Sequence, residues 1–370
     1  MVTSVSRNLE EALAQIDGWI GPEAVQGVSA AVWYAGELVA MRHAGEARPG
    51  IPVDDSTLFA LASVTKPVTA ATVVSLVDSH ELALDTPVGE IIPAFVASAD
   101  TARERARAAI TVRQLLCHVS GLPEDLPRGS MRASNPPSLD QLTDAMIRLP
   151  LEYEPGSALL YSNAGYGIVA RIAETVSGRD FWELAWERVL EPLGLRNTID
   201  HPGPALDERI ATLQDVANRG KPIEAYNSRY WKDLAIPWGG LYGSAHDLVT
   251  FAAAFLRPKF SFMSRVLMEE MIRDQVHGVP GAVQSLRVQW PVAAWGLGWE
   301  VKGLKRKHWT GSLSSPSTFC HFGAAGTLLW ADPDNDIALA VFANRTTYHL
   351  WPFVPPRWAM LSDALIAAVQ

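Results

Sequence analysis

Cysteine is almost missing from this chain, which holds only Cys117 and Cys320 in 370 residues. A disulfide framework is therefore excluded as its scaffold. The count fits two reduced, semi-buried thiols in a reducing compartment, with Cys117 in the core and Cys320 the more accessible; a single disulfide between them is the alternative. Long apolar runs are missing too: none reaches the about 18 residues that a membrane span needs. The stretch Met1 to Glu11 lacks the apolar middle of a secretory leader, so a chain starting at Met1 is expected in the cytoplasm. Positive charge is scarce. Net charge is −9, from 31 basic and 40 acidic residues, and the longest basic tract is Lys305-Arg306-Lys307, which argues against nucleic acid as a partner. The nine histidines include no His-Glu-x-x-His and no Cys/His cluster with ligand spacing, so no metal is expected. Nucleotide fingerprints (Gly-x-Gly-x-x-Gly, Gly-Lys-Ser/Thr) are absent, so no cofactor is expected either. A Gly-x-Ser-x-Gly elbow is also absent, which removes the usual α/β-hydrolase reading.

What is present centres on Leu61-Ala62-Ser63-Val64-Thr65-Lys66-Pro67. Here a short extended run, Leu58 to Leu61, gives way to an apolar helical stretch reaching about Val77. Ser63 and Lys66, three apart, share a helix face. Pro67 is harmless only in the first turn, so the helix cannot begin much before Ser63. Negative charge developing at Ser63 would meet free backbone N–H groups and the positive end of the helix dipole. Residues 68–77 have almost no polar face, so the helix should be buried and its lysine set against the core. A buried lysine needs a partner or a task. The plainer reading is an N-cap serine with a solvated lysine.

With 48% hydrophobic residues the chain can fill one large or two medium cores. Apolar spacing predicts a helix from Leu9 to Ile20, then a hairpin of Val28–Tyr34 and Glu37–Met41 about the turn Ala35-Gly36. After the Ser63 helix comes a long section of helices: Thr111–Cys117, Ser138–Leu149, Asn163–Val176, Asp180–Leu190, Ser244–Leu256 and Phe262–Ile272. Proline- and glycine-rich stretches, Leu122–Pro137 and His201–Trp238, separate them and read as lids or substrate walls. Strand patterns return at Gly296–Val301, Gly326–Ala331 and Ile337–Ala343, before a last helix, Trp358–Val369. The expected fold is therefore α+β. Residues 1–85 and 289–370 form a discontinuous domain, an antiparallel sheet flanked by terminal helices, and residues 86–288 form a mostly helical domain with lid loops. A site would lie in the cleft between them.

Two further spots could serve Ser63. In Tyr161-Ser162-Asn163, a tyrosine beside a cationic lysine could ionise at reduced cost, and an asparagine amide could steady Lys66 and bind a substrate carbonyl. The alternative is an asparagine N-cap with a core tyrosine. In His321-Phe322-Gly323-Ala324, Gly323 would let a ligand approach the backbone closely, while His321 alone reads equally as a satisfied core histidine.

Ser63-x-x-Lys66, Tyr161-x-Asn163 and His321-x-Gly323, in that order, resemble the signature of the penicillin-binding protein and serine β-lactamase superfamily. Tyr161 lies 98 residues and His321 258 residues beyond Ser63, spacings similar to the class C branch. Leu115 to Pro123 resembles that family's Leu-Leu-Thr-His-Thr-Ser-Gly-Leu-Pro loop, in which His118 and Ser120 read as structural. Glu154-Pro155-Gly156, Trp238-Gly239-Gly240-Leu241 and Gly296-Leu297-Gly298-Trp299 match further family segments. The resemblance implies that Ser63 attacks an acyl carbon, with Lys66 and an ionised Tyr161 as general base. It also implies that Asn163 orients Lys66 and substrate, that His321 supports Tyr161, and that the N–H groups of Ser63 and Ala324 form the oxyanion hole. Such donors are worth about 3 kcal/mol each.

One departure narrows the substrate. Lactamases and peptidases carry Lys and a hydroxyl residue in the third motif, where this chain has His321 and Phe322, neither suited to gripping a carboxylate. With no secretory leader evident, the nearest resemblance is to family VIII carboxylesterases. Thirteen tryptophans, among them Trp231, Trp238 and Trp351 in the suspected lids, suit an apolar acyl or aromatic ester. The expected function is a serine carboxylesterase acting on small-molecule esters, with Phe322, Gly323, Asn163 and Trp238 touching substrate. An amide hydrolase of the same fold, an acyltransferase and a non-catalytic ligand sensor are the alternatives.

Overall fold

Small and branched apolar residues from Gly27 to Tyr34 give a strand buried on both faces, which belongs in the middle of a sheet. The computed structural model, which describes residues 2–96, 102–256, 262–350 and 354–370, places it there. Seven antiparallel strands run in the order Glu300–Val301, Phe319–Gly323, Thr327–Asp332, Ile337–Ala343, Gly27–Tyr34, Glu37–Arg48, Ile51–Pro52. The two ends of the chain thus build one sheet. The hairpin turn is Ala35-Gly36, both at positive φ, the geometry that follows the twist of the flanking strands.

Alternation along the central strand sends Val28, Ala30 and Val32 to one core and Ala31 to another. The first core holds Leu9, Leu13, Trp358, Leu361 and Leu365 from the terminal helices Val2–Leu13 and Val354–Val369, which pack on each other. The second holds helix Ala245–Ala254 and helix Thr65–Asp78, which carries the Ser63 region. Each fully buried Leu or Val in these layers contributes about 2 kcal/mol. Among the described residues no helix is long and apolar enough to cross a membrane.

The α+β architecture with its antiparallel sheet and terminal helices is as expected; several bounds differ. The first helix spans Val2–Leu13 and tightens into a 3-10 turn, Ala14–Trp19, where Asp17 turns to pair with Arg42. The helix expected from Phe262 starts at Arg265. The strand expected over 296–301 is only Glu300–Val301, because Gly298 sits at φ +90° and a side chain there would overlap Ala70 of the Ser63 helix. Close packing against the helix overrides extension. Two small sheets were not foreseen: Phe59–Ala60, Tyr242–Gly243 and Thr198–Ile199 form one; Leu159–Leu160, Gly281–Val283 and Val288–Trp290 the other.

Candidate active site

The run Phe59–Ala60 pairs with Tyr242–Gly243, and the Leu61 N–H continues to the Leu241 carbonyl at 2.9 Å. Extension ends at Ala62, whose φ of +46° lies in the left-handed region. Such a conformation costs an L-residue about 1–2 kcal/mol and persists only where its surroundings hold it. Here they do: the Thr327 hydroxyl donates to the Leu61 carbonyl at 2.9 Å, tying this bend to the large sheet. A 3-10 turn, Ala62–Val64, leads into helix Thr65–Asp78, with Ser63 half-buried and Lys66 fully buried.

Gly323 lies against the same bend. A Cβ there would overlap the Leu61 carbonyl oxygen and the Thr327 hydroxyl and press on Ala62 Cβ at 3.2 Å. A close approach to Gly323 is made by the chain's own Leu61–Ala62. Gly323→Ala is expected to destabilise the fold by about 3 kcal/mol and to displace Ser63. Urea unfolding would check it; an unchanged midpoint would show that the bend tolerates the methyl group.

Lys66 Nζ donates to Ser63 Oγ at 3.1 Å and to the Trp238 carbonyl at 2.7 Å. It also lies over the rings of Tyr161 and Tyr166, 4.8 and 5.6 Å from their centroids. Burial lowers its pKa to about 7, against the opposing charges of Asp125 and Glu124. The same burial raises Tyr161 well above the ordinary phenol value, although the neighbouring Ser63 hydroxyl acts the other way. Burial thus works against the ionised Tyr161 expected from sequence. The residue is 6% exposed, and its buried hydroxyl has no hydrogen-bond partner of ordinary geometry.

Tyr161 is held by its N–H on the Ala282 carbonyl at 3.1 Å and by the His118 ring, tilted against it with centroids 4.6 Å apart. His118 accepts the Ser162 N–H through Nδ1 at 3.0 Å, so its proton is on Nε2, and burial keeps it neutral. Ser162, not Asn163, caps helix Asn163–Ser177, with Oγ accepting from Gly165 N at 3.0 Å. The asparagine side chain is thereby left for other work. Its Nδ2 donates to Asp125 at 2.9 Å while its Oδ1 is buried and unpartnered. The partner of Lys66 foreseen in Asn163 is instead the Trp238 carbonyl.

His321 is 1% exposed, with Nδ1 at 2.9 Å from the Phe322 carbonyl and Nε2 unpartnered. Burial lowers its pKa to about 3, with help from the Lys66 charge. Its ring is 6.0 Å from that of Tyr161, with no hydrogen bond between them. Cys320, expected to be accessible, is fully buried with the Trp309 indole N–H on its sulfur at 3.3 Å, and Cys117 is buried and free as well. Beneath this strand the fold gathers a cluster the sequence did not reveal: Glu300, His308 and Cys320 bring ligand-type atoms within 4.8 Å. Lys305 Nζ already occupies it, bonded to Glu300 at 2.8 Å and to the Ala294 and Val301 carbonyls at 2.8 and 2.7 Å. This cluster is a satisfied ion pair inside the core.

A cavity of about 360 Å³ opens over Ser63 and Tyr161. Asn163, Phe322 and Ala324 line it, as expected, together with Glu124, Asp125 and Arg128 from the loop read as a substrate wall. Among the described residues nothing accepts the Ala324 N–H. Val283, Gln284, Ser285 and Leu286 complete the wall with Tyr348. These were missed, although the alternation Ala282-Val283 and Val288-Gln289-Trp290 signals a hairpin. Trp238 does not line this cavity; its ring packs on Gly167 beside a neighbouring one. Trp231 packs at a tilt against Tyr226, and Trp351 lies outside the described residues.

Sequence comparison places residues 7–353 in a match to the family described as Beta-lactamase. Penicillin-binding protein 4 of Amycolatopsis lactamdurans is 29% identical over 335 residues, covering 86% of this chain and 81% of that protein. Esterase EstB of Burkholderia gladioli is 28% identical over 334 residues, covering 82% and 80%. The crystal structure of a family VIII carboxylesterase superposes with a TM-score of 0.80 at 21% identity, covering 98% and 97%, a likeness of fold.

Proposed function

This chain belongs to the beta-lactamase family and is a serine hydrolase, and on that premise we propose that it cleaves small carboxylic esters through an acyl-enzyme on Ser63. The observation that carries the reading is the Lys66 amine 3.1 Å from Ser63 Oγ, fully buried and with its pKa at about 7, beside an open cavity. A lysine so desolvated holds a lone pair at neutral pH. In acylation the Ser63 hydroxyl gives its proton to Lys66 as Oγ bonds to the carbonyl carbon. The oxyanion is received by the Ser63 and Ala324 N–H groups. The C–O bond then breaks and the leaving alkoxide takes a proton from Tyr161, whose phenol is restored from the Lys66 ammonium. Water repeats the sequence on the acyl-enzyme and releases the acid.

Ester is favoured over lactam or peptide by the third-motif wall. Phe322 faces the cavity where related enzymes offer a hydroxyl, and His321 is turned inward and neutral, so this strand gives a carboxylate neither charge nor donor. Val283 and Leu286 add apolar surface. Wild-type enzyme is expected to turn over p-nitrophenyl butyrate with kcat/KM about 10²-fold or more above that for nitrocefin, the discrimination that one lost charge-assisted contact provides. Faster nitrocefin turnover would move the assignment to amide hydrolysis.

A further inference from the structure

We propose that the Ser63 cavity selects esters bearing a cationic ammonium group; the inference rests on the esterase reading and names its substrate class. Hydrogen-bond acceptors dominate one side of the cavity. Glu124 and Asp125 are adjacent in the loop 122–137, and both line the cavity. Each carboxylate is fixed by the backbone: Glu124 accepts the Ser285 N–H at 3.0 Å, and Asp125 accepts the Leu126 N–H at 2.8 Å. Asp125 also takes the Asn163 amide N–H, which leaves Asn163 Oδ1, another acceptor, buried and without a donor. The phenol of Tyr161, unpartnered and nine-tenths buried, lines the same space and marks it as one that a ligand completes.

The opposing charge is Arg128, exposed on the same loop. The field deeper in is nonetheless set by the acids. Asp125 and Glu124 are the charges that favour the protonated forms of Lys66 and Tyr348, and Glu124 acts likewise on Tyr161, whereas Arg128 figures at none of the three. Two anions lining one cavity concentrate a cation and repel a carboxylate. Phe322, an aromatic ring of the kind that attracts ammonium groups, lines the same cavity.

The test uses two matched ester pairs at low ionic strength. One carries the charge on the alcohol (choline butyrate against 3,3-dimethylbutyl butyrate). The other carries it on the acyl chain (p-nitrophenyl 4-trimethylammoniobutanoate against p-nitrophenyl 5,5-dimethylhexanoate). At least one ammonium ester is expected to exceed its neutral twin by about tenfold in kcat/KM, with the advantage shrinking as salt is added. In Asp125→Asn and Glu124→Gln that ratio should fall toward one. A ratio of two rate constants does not depend on how much of a variant folds, so unstable variants still report. If neither ammonium ester is preferred, or if the ratio survives both substitutions, the proposal is wrong. Hydrolysis of p-nitrophenyl butyrate separates the two levels: with it intact only the charge preference fails, and without it the esterase reading fails.

Discussion

Ser63→Ala is expected to lower kcat/KM for p-nitrophenyl butyrate by roughly 10⁴- to 10⁶-fold, the loss seen when a nucleophile that acts as part of a unit is removed. The fold should not notice. Ser63 is half-buried, its Oγ serves Lys66 at 3.1 Å, and Lys66 keeps the Trp238 carbonyl at 2.7 Å when that acceptor goes. Stability should therefore change by less than about 1 kcal/mol. Labelling by a fluorophosphonate gives an independent reading, since it needs a nucleophilic oxygen and not turnover. Wild type should take one equivalent and Ser63→Ala none. Equal labelling of the two proteins would remove Ser63 from the mechanism.

The positions of Ser63 and Lys66 were legible because each depends on a local rule, whereas Tyr161 was reached only through the family resemblance. Pro67 limits where the helix can start, the apolar run 68–77 requires that helix to be buried, and a lysine in its first turn is buried with it. The sheet was legible for a similar reason: strands buried on both faces, such as Ile337–Ala343, read as continuous apolar runs. Protonation was not legible. Sequence could place Tyr161 near Lys66 but not count the apolar surroundings that desolvate both, and desolvation is the largest influence on each. Nor could it foresee that Ser162 takes the helix cap and that Asp125 takes the Asn163 amide, which decides where that side chain points. Gly323 was singled out for close approach, and the neighbour that sequence could not name is Leu61. The walls at 283–286 escaped because strands of three residues give only a short alternation, a hairpin signal easily passed over.

Lys66 carries the second large effect, and its charge state separates a base from an electrostatic prop. With a pKa of about 7 the amine is protonated in acid and silent as a base. The acid limb of kcat/KM should therefore fall tenfold per unit below an inflection near pH 7. Lys66→Met removes the amine and Lys66→Arg keeps a cation that cannot give up its proton. Both are expected to lose about 10³- to 10⁴-fold, and near-equality of the two is the diagnostic. An arginine variant far more active than the methionine variant would assign Lys66 to charge stabilisation instead. Stability supplies a check that needs no substrate. Because burial holds the folded amine below the value 10.5 of a free lysine, the unfolded chain binds the extra proton between about pH 7 and 10.5. Folding penalised by that amine below pH 7 is relieved as pH rises across this window, by up to about 1.4 kcal/mol per unit. The unfolding free energy of wild type, taken relative to Lys66→Met so that the other titrating groups cancel, should climb with pH over that interval; a flat difference would mean that the amine is charged in the folded protein and cannot accept the serine proton.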